Sequence, residues 1–133
     1  MPELFHYLYT STIAADVSPQ CIGSIVWNAR VNNAARDVTS LLAFDGWRLC
    51  QYLEGRSSDV LALVDIIRDD PRHHSIVPVH QGPRDGPRRF PNEPMSYGML
   101  YDDRPLAVLE TLRDTAALDA FDRIVPELDT GAL

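Results

Sequence analysis

The sequence is poor in cysteine: Cys21 and Cys50 are the only two in 133 residues, and they carry no CxxC or metal-ligand spacing. That excludes a disulfide framework and a thiolate metal site. One disulfide is conceivable, but free thiols in a cytosolic protein are the expected state. No apolar run approaches the roughly 20 residues of a membrane span, and no basic-then-apolar leader opens the chain, so a cytoplasmic location away from membranes is expected. Positive charge is in deficit. Twelve Lys+Arg against nineteen Asp+Glu give a formal net charge of -7, with a pI near 4.9. This balance argues against nonspecific binding to nucleic acid or membrane surfaces, and leaves a specific protein partner open. Internal repeats and low-complexity tracts are absent. So are a Ser-His-Asp set, a P-loop and a paired-carboxylate motif, so no enzyme is expected.

What is present suits one compact domain. The apolar share is 45%, enough for a core, and the length leaves no room for a separate effector domain. Leu4 to Ser11 alternates as a strand, with Phe5, Tyr7, Tyr9 and Ser11 on one face. Ser18 followed by Pro19 opens a helix whose stripe is Ile22, Ile25, Val26 and Ala29, predicted to end near Val31. Val38 to Phe44 reads as a buried strand, Asp45-Gly46 as a hairpin turn, and Trp47 to Glu54 as the return strand. Ser58 is placed to cap a second helix with the stripe Val60, Leu63, Val64 and Ile67, stopped by Pro71. Ile76 to Gln81 reads as a fourth strand, Gly82 to Pro94 as a loop, and Met95 to Tyr101 as a fifth strand. Pro105 opens a short helix through Arg113, and Thr115 caps another to about Pro126. The fold class is therefore α+β, a ferredoxin-like βαββαβ arrangement with a fifth strand and two C-terminal helices. Two helices cover one sheet face. The other face carries Cys50 and Tyr52 and must be covered by the tail helices or by a second subunit.

Three polar side chains sit where a core prefers apolar ones. Asn33 lies four positions after Ala29 and extends the inward stripe of the first helix. Gln51 lies between Leu49 and Leu53 on the inward face of the third strand, and Tyr9 shares its face with Phe5 and Tyr7. Each has an ordinary structural explanation: a core tyrosine with a satisfied hydroxyl, a helix C-cap, an edge glutamine. Buried without partners, such groups cost about 1–3 kcal/mol each. Together beneath two helices, they satisfy one another or a polar ligand with an edge of donors and acceptors.

Five strings decide between these. They are LYTS at Leu8 to Ser11, NNAARDVTSLL at Asn32 to Leu42, FDGWRLCQYLEG at Phe44 to Gly55, DPRH at Asp70 to His73, and RRFPNEPM at Arg88 to Met95. In order and spacing they resemble the BLUF family over roughly Leu4 to Tyr101. The resemblance implies a flavin, FAD or FMN, whose ring slides between the two helices with its edge toward the sheet. Tyr9 matches the family's photoactive tyrosine, and Gln51 the glutamine that bridges it to the flavin N5/C4=O edge. Asn33 matches the asparagine that holds C4=O and N3-H. Arg72 and His73 match positions near the C2=O side, although Arg72 is equally well read as a solvated cation at a helix end. Ile22, Ile25, Val64 and Ile67 would wall the ring. Met95 and the nearby Glu93 fall where the signal leaves the site.

The resemblance also implies a mechanism. Blue light excites the flavin, Tyr9 gives up an electron and a proton through Gln51, and recombination leaves Gln51 rotated or tautomerised. The hydrogen bond to C4=O strengthens, absorption shifts to the red, and the fifth strand passes the change to a downstream signalling protein. Residues 1–101 would be the flavin-binding domain. Residues 102–133 would be a helical extension packed on the sheet or at a subunit interface, and a homo-oligomer is expected. The chain departs from the family at three places: Glu93 replaces a common Trp, Ser40 a common Gly, and Ala29 a frequent Ser. Other signals are ordinary. His73, His74 and His80 lack metal-ligand partners, Arg84, Arg88 and Arg89 form a solvated loop, and Trp27 and Trp47 are expected in the core or an interface. Two alternatives remain: a flavin-free adaptor that kept the fold, and an acylphosphatase-type hydrolase. The latter would need an Arg loop and a poised Asn near the first strand, which TSTIAAD does not supply.

Overall fold

The computed structural model describes residues 4–16, 18, 22–91 and 94–130. In chain order the elements are β1 (Leu4–Ile13), α1 (Ile22–Ala35), β2 (Thr39–Phe44), β3 (Arg48–Gly55), α2 (Ser57–Arg68), β4 (His73–Arg84), β5 (Ser96–Met99), α3 (Arg104–Glu110) and α4 (Asp114–Ile124). The strands form one sheet in the order β4-β1-β3-β2-β5. All pairs are antiparallel except β2 with β5, which is parallel. This is the expected α+β class, a ferredoxin-like core with a fifth strand and two helices added.

Local chemistry explains most of the boundaries. Gly46 takes φ +92° in the β2–β3 turn, and Asp45 Oδ1 accepts the backbone N–H groups of Trp47 at 2.9 Å and Arg48 at 2.6 Å. Helix α1 runs past Val31 to Ala35 because nothing in Asn32 to Ala35 breaks it. It ends where Asp37 turns at φ 53° and the Val38 N–H returns to the Asn33 carbonyl at 3.0 Å. The expected caps differ from those observed. Arg56 and Arg113 occupy the N-cap positions of α2 and α4, and neither makes a side-chain cap bond, so Ser58 and Thr115 lie inside their helices. The expected Pro19 start lies outside the described residues. Strand β4 begins earlier and ends later than the pattern suggests. Ser75 sits at φ 56°, and the pairing with β1 shifts register twice, so period-2 alternation is lost while pairing continues.

Two layers cover the sheet. On the near face, Ile22 and Val26 of α1 pack on Leu42, Phe44 and Leu49, while Val60, Leu63 and Val64 of α2 pack on Tyr7 and Leu53. On the far face, Leu106 and Leu109 of α3 and Phe121 and Ile124 of α4 pack on Leu8, Leu41, Cys50 and Tyr52. Cys50 is a buried free thiol whose pKa is pushed up by burial; Cys21 lies outside the described residues. Trp27 and Trp47 are not core residues, being 66% and 56% exposed.

The far face also holds a polar chain that runs from the buried Tyr52 to the exposed Asp114. The Tyr52 hydroxyl lies 2.9 Å from His6 Nδ1, His6 Nε2 lies 2.7 Å from His80 Nε2, and His80 Nδ1 lies 3.1 Å from the Asp114 carboxylate. One donor order satisfies these three contacts: Tyr52 donates to His6, His6 to His80, and His80 to Asp114, which leaves Glu54 Oε2 as a longer second acceptor 3.4 Å from the Tyr52 hydroxyl. Burial, with His80 second, lowers the His6 pKa to about 4.

Two predictions follow from this layer. The unfolded chain takes up the His6 proton near pH 6.5 and the folded chain only near 4, so stability is full above that window and falls as the pH drops through it. Urea midpoints measured against pH should show this decline, and His6→Gln should flatten it while lowering the plateau. The second concerns Gly98, where an added Cβ would lie 2.5 Å from Leu128 Cβ. The Met99 N–H bonds the Asp129 carbonyl at 2.9 Å and the Asp129 N–H bonds the Met99 carbonyl at 2.8 Å, so this contact is clamped. Gly98→Ala should cost about 1–3 kcal/mol by overpacking, read as a lowered Tm.

Candidate functional site

Tyr9 and Gln51 stand directly opposite one another in the β1–β3 register. Cross-strand partners on one face are the closest neighbours a sheet provides. The Tyr9 hydroxyl donates to Gln51 Oε1 at 2.5 Å, with both side chains buried. Burial, reinforced by the Asp70 carboxylate, raises the Tyr9 pKa well above the usual phenol range. The phenol therefore keeps its proton, and the carboxamide must present its oxygen to Tyr9. Its nitrogen then points to Met95 Sδ at 3.8 Å.

A cavity of about 660 Å³ opens over this pair, between α1 and α2. That is within the range of about 300–1,000 Å³ typical of small-molecule sites. Leu42 and Leu49 form its floor with Gln51, Ile25 and Ala29 wall it from α1, and Ile67 walls it from α2. Trp27, Val31 and Ile66 are exposed apolar side chains at its mouth. Asn28 and Asn32 border it from α1, and among the described residues neither carboxamide has a protein hydrogen-bond partner.

The end away from Met95 is built by the α2–β4 junction. Arg72 grips Asp70 twice, Nη2 to Oδ2 at 2.6 Å and Nε to Oδ1 at 2.9 Å. Its Nη1 reaches Ser24 Oγ on α1 at 3.3 Å, so the junction is tied across to the other wall. The Arg72 hydrogen bond is also the main reason that the Asp70 pKa lies below its ordinary value; burial opposes it. His73 Nε2 donates to the Ile67 carbonyl and Nδ1 meets Ser11 Oγ, both at 2.7 Å, which locks the ring between β1 and α2.

Seven of the expected site residues line this one cavity: Tyr9, Ile25, Gln51, Ile67, Arg72, His73 and Met95. Two lie behind its wall. Val64 is buried in the core under α2, and Asn33 is buried with its Nδ2 donating to Pro94 O at 2.7 Å and Ser40 Oγ at 3.0 Å. Glu93 lies outside the described residues. Sequence reasoning missed Asn28, Asn32 and Asp70. The first two carried a usable signal, since they recur at i, i+4 beside Ile25 and Ala29. Asp70 is an acid two residues from Arg72, which only the folded turn brings into bidentate contact.

A flat aromatic ligand with alternating acceptors and N–H groups along one edge fits this set of walls and carboxamides, and a flavin ring is such a ligand. Among the described residues no group of three or more His, Cys, Asp and Glu is placed to hold a metal ion, and no helix is long and apolar enough to cross a membrane. Arg72→Ala should raise the Asp70 carboxyl pKa, because its largest lowering contact is lost and desolvation then acts with less opposition. Carboxyl titration by NMR reads this directly.

Comparison with known proteins gives a consistent picture. A family model described as BLUF, sensors of blue-light using FAD, matches residues 4–96. The blue light- and temperature-regulated antirepressor BluF of Escherichia coli K12 is 37% identical over 70 residues, which make up 53% of this chain and 17% of that protein. The dark-state structure of the BLUF protein BlrB is 29% identical, with a TM-score of 0.77, covering 94% of this chain and 96% of that one. The structure of Klebsiella pneumoniae BlrP1 with FMN and cyclic diGMP is 26% identical, with a TM-score of 0.66, covering 94% of this chain but 30% of that one. The match thus spans a small part of the antirepressor and of BlrP1, and nearly all of BlrB. Matched by the family model over most of its length, with a flavin-sized cavity above a paired tyrosine and glutamine, the chain belongs to the BLUF family of blue-light flavin sensors.

Proposed function

We propose that this chain senses blue light by releasing a proton from Tyr9 toward Gln51 as Tyr9 loses an electron, which a flavin bound between α1 and α2 would accept. The 2.5 Å Tyr9–Gln51 hydrogen bond on the cavity floor carries the reading. Ile25 and Ile67 would wall the ring from α1 and α2. Gln51, Asn28 and Asn32 offer amide edges to its polar rim. Asn33, behind the wall, commits its Nδ2 to Ser40 and Pro94 and so braces the floor rather than lining it. His73 sets the depth of the cavity, and at the same end Arg72 borders it as an ion pair with Asp70, offering N–H groups rather than net charge. Because these contacts address the ring, FAD and FMN both suit the site.

When bound, the flavin supplies blue-light absorption and an electron-accepting excited state. Tyr9 is the donor. Its phenol holds its proton firmly in the dark, and loss of an electron makes that proton acidic beside the Gln51 carbonyl oxygen. Gln51 can take the proton or turn its carboxamide, and either change alters what it presents to the ring and to Met95. Apolar walls keep water from competing for these bonds. The output passes through Met95 and β5 toward residues 102–133 and then to a partner protein or a second copy of this chain, with residues 1–101 acting as the sensing domain.

Purified protein should be yellow, and blue light should shift its flavin absorption reversibly to the red. Tyr9→Phe should still bind flavin but lose the shift. It should also cost about 1–3 kcal/mol in stability, because Gln51 Oε1 loses its donor in a buried place. Gln51→Leu should bind flavin without a normal shift. A normal red shift in Gln51→Leu would sink the mechanism, and colourless protein that takes up no flavin would favour a flavin-free adaptor instead.

A further inference from the structure

Ser40 is fully buried on β2, and its hydroxyl sits among three polar groups. It accepts from Asn33 Nδ2 at 3.0 Å. It also lies within donating distance of two acceptors, the Pro94 carbonyl at 2.8 Å and Met95 Sδ at 3.3 Å. A serine has one O–H proton, so it serves one of these acceptors at a time. No water competes in a fully buried position, so the choice is between the two. The same sulfur takes the Gln51 Nε2 donor at 3.8 Å. Met95 is itself fixed to α1 by Arg30 Nε, which donates to its carbonyl at 3.1 Å.

We propose that Ser40 is the positioning residue that passes a change at Gln51 to β5, by moving its single hydroxyl proton between the Pro94 carbonyl and the Met95 sulfur. With Gln51 Nε2 on the sulfur, Ser40 donates to Pro94 and pins the entry to β5. When Gln51 withdraws that N–H, the sulfur is left without a donor and Ser40 turns to it. The Pro94 carbonyl then keeps only its bond from Asn33, and the start of β5 loosens. Beyond it, Gly98 packs directly on Leu128 and Met99 pairs with Asp129, so movement of β5 reaches the end of the described chain. In light this relay rests on the photoreceptor reading, but its hydrogen-bond logic also holds in the dark.

The test is a variant cycle read by amide hydrogen exchange at Ser96 to Met99 in the dark. Gln51→Leu deletes the N–H donor and should speed exchange at least several-fold. Ser40→Ala should speed it by itself, and adding Gln51→Leu should then change nothing. Met95→Leu removes the competing acceptor, should leave exchange slow, and should also silence Gln51→Leu. If Gln51→Leu has the same effect with Ser40 or Met95 replaced as without, the relay is wrong. In light, flavin-loaded Ser40→Ala should keep the red shift and lose the light-dependent change in exchange at β5. Absence of a red shift in the unmodified protein would overturn the photoreceptor reading, while the dark cycle would still decide the relay.

Discussion

The site depends on one register. Tyr9 meets Gln51 only because β1 and β3 pair as they do, and a slip of one residue would send both side chains to the opposite face. What holds the register is burial on both faces of the same strands. Leu8 and Tyr7 in β1, and Tyr52 and Leu53 in β3, are all nearly inaccessible and point to alternate layers. A slip would exchange two complete apolar sets at once. The short hydrogen bond between phenol and carboxamide is thus positioned by the packing of the whole sheet, and needs no special loop.

The far face is assembled differently. Its aliphatic core joins α3 and α4 to the sheet, but a polar chain runs through it from Tyr52 to Asp114 at the start of α4. Aromatic contacts frame the same tyrosine. Phe121 stacks on Tyr52 with centroids 5.8 Å apart, and the Arg89 guanidinium lies 4.9 Å above its ring while pairing with Asp122 on α4. Burial, then the Glu54 carboxylate, pushes the Tyr52 pKa up to about 12, so it too remains a donor. These contacts demand particular distances and angles, which an aliphatic layer does not. They set where α4 sits, whereas the aliphatic contacts supply most of the adhesion.

Much of this was legible in the sequence, and the exceptions have local causes. The Asp45-Gly46 turn, the two-faced β3 and the Tyr9–Gln51 pairing follow from alternation and turn chemistry, which act over a few residues. The full length of β4 was hidden because Ser75 and the register shifts spoil its alternation, although pairing with β1 continues through them. The end of α1 was placed too early because Asn32 and Asn33 look like a terminus, yet the helix stops only at the strained Asp37. Of the site, the strand residues were readable. Of the helix residues, Ile25 and Ile67 line the cavity as expected, while Asn32 lines it and Asn33 braces Ser40 and Pro94 behind it. Rotation about a helix axis is set by tertiary packing, and one residue of error turns a side chain by about 100°. The core half of the reading of the two tryptophans fails for a related reason, because bulk and apolarity do not say which side of a helix or turn meets the core.

Strand β3 lies between β1 and β2, and its residues alternate between the two layers. Gln51 faces the cavity, while its immediate neighbours Cys50 and Tyr52 face α3 and α4. The two chambers therefore share a wall only one backbone thick. A substitution on β3 therefore reaches both chambers: a change of bulk at Gln51 strains the same backbone that seats Cys50 and Tyr52 against α3 and α4, and the reverse holds as well.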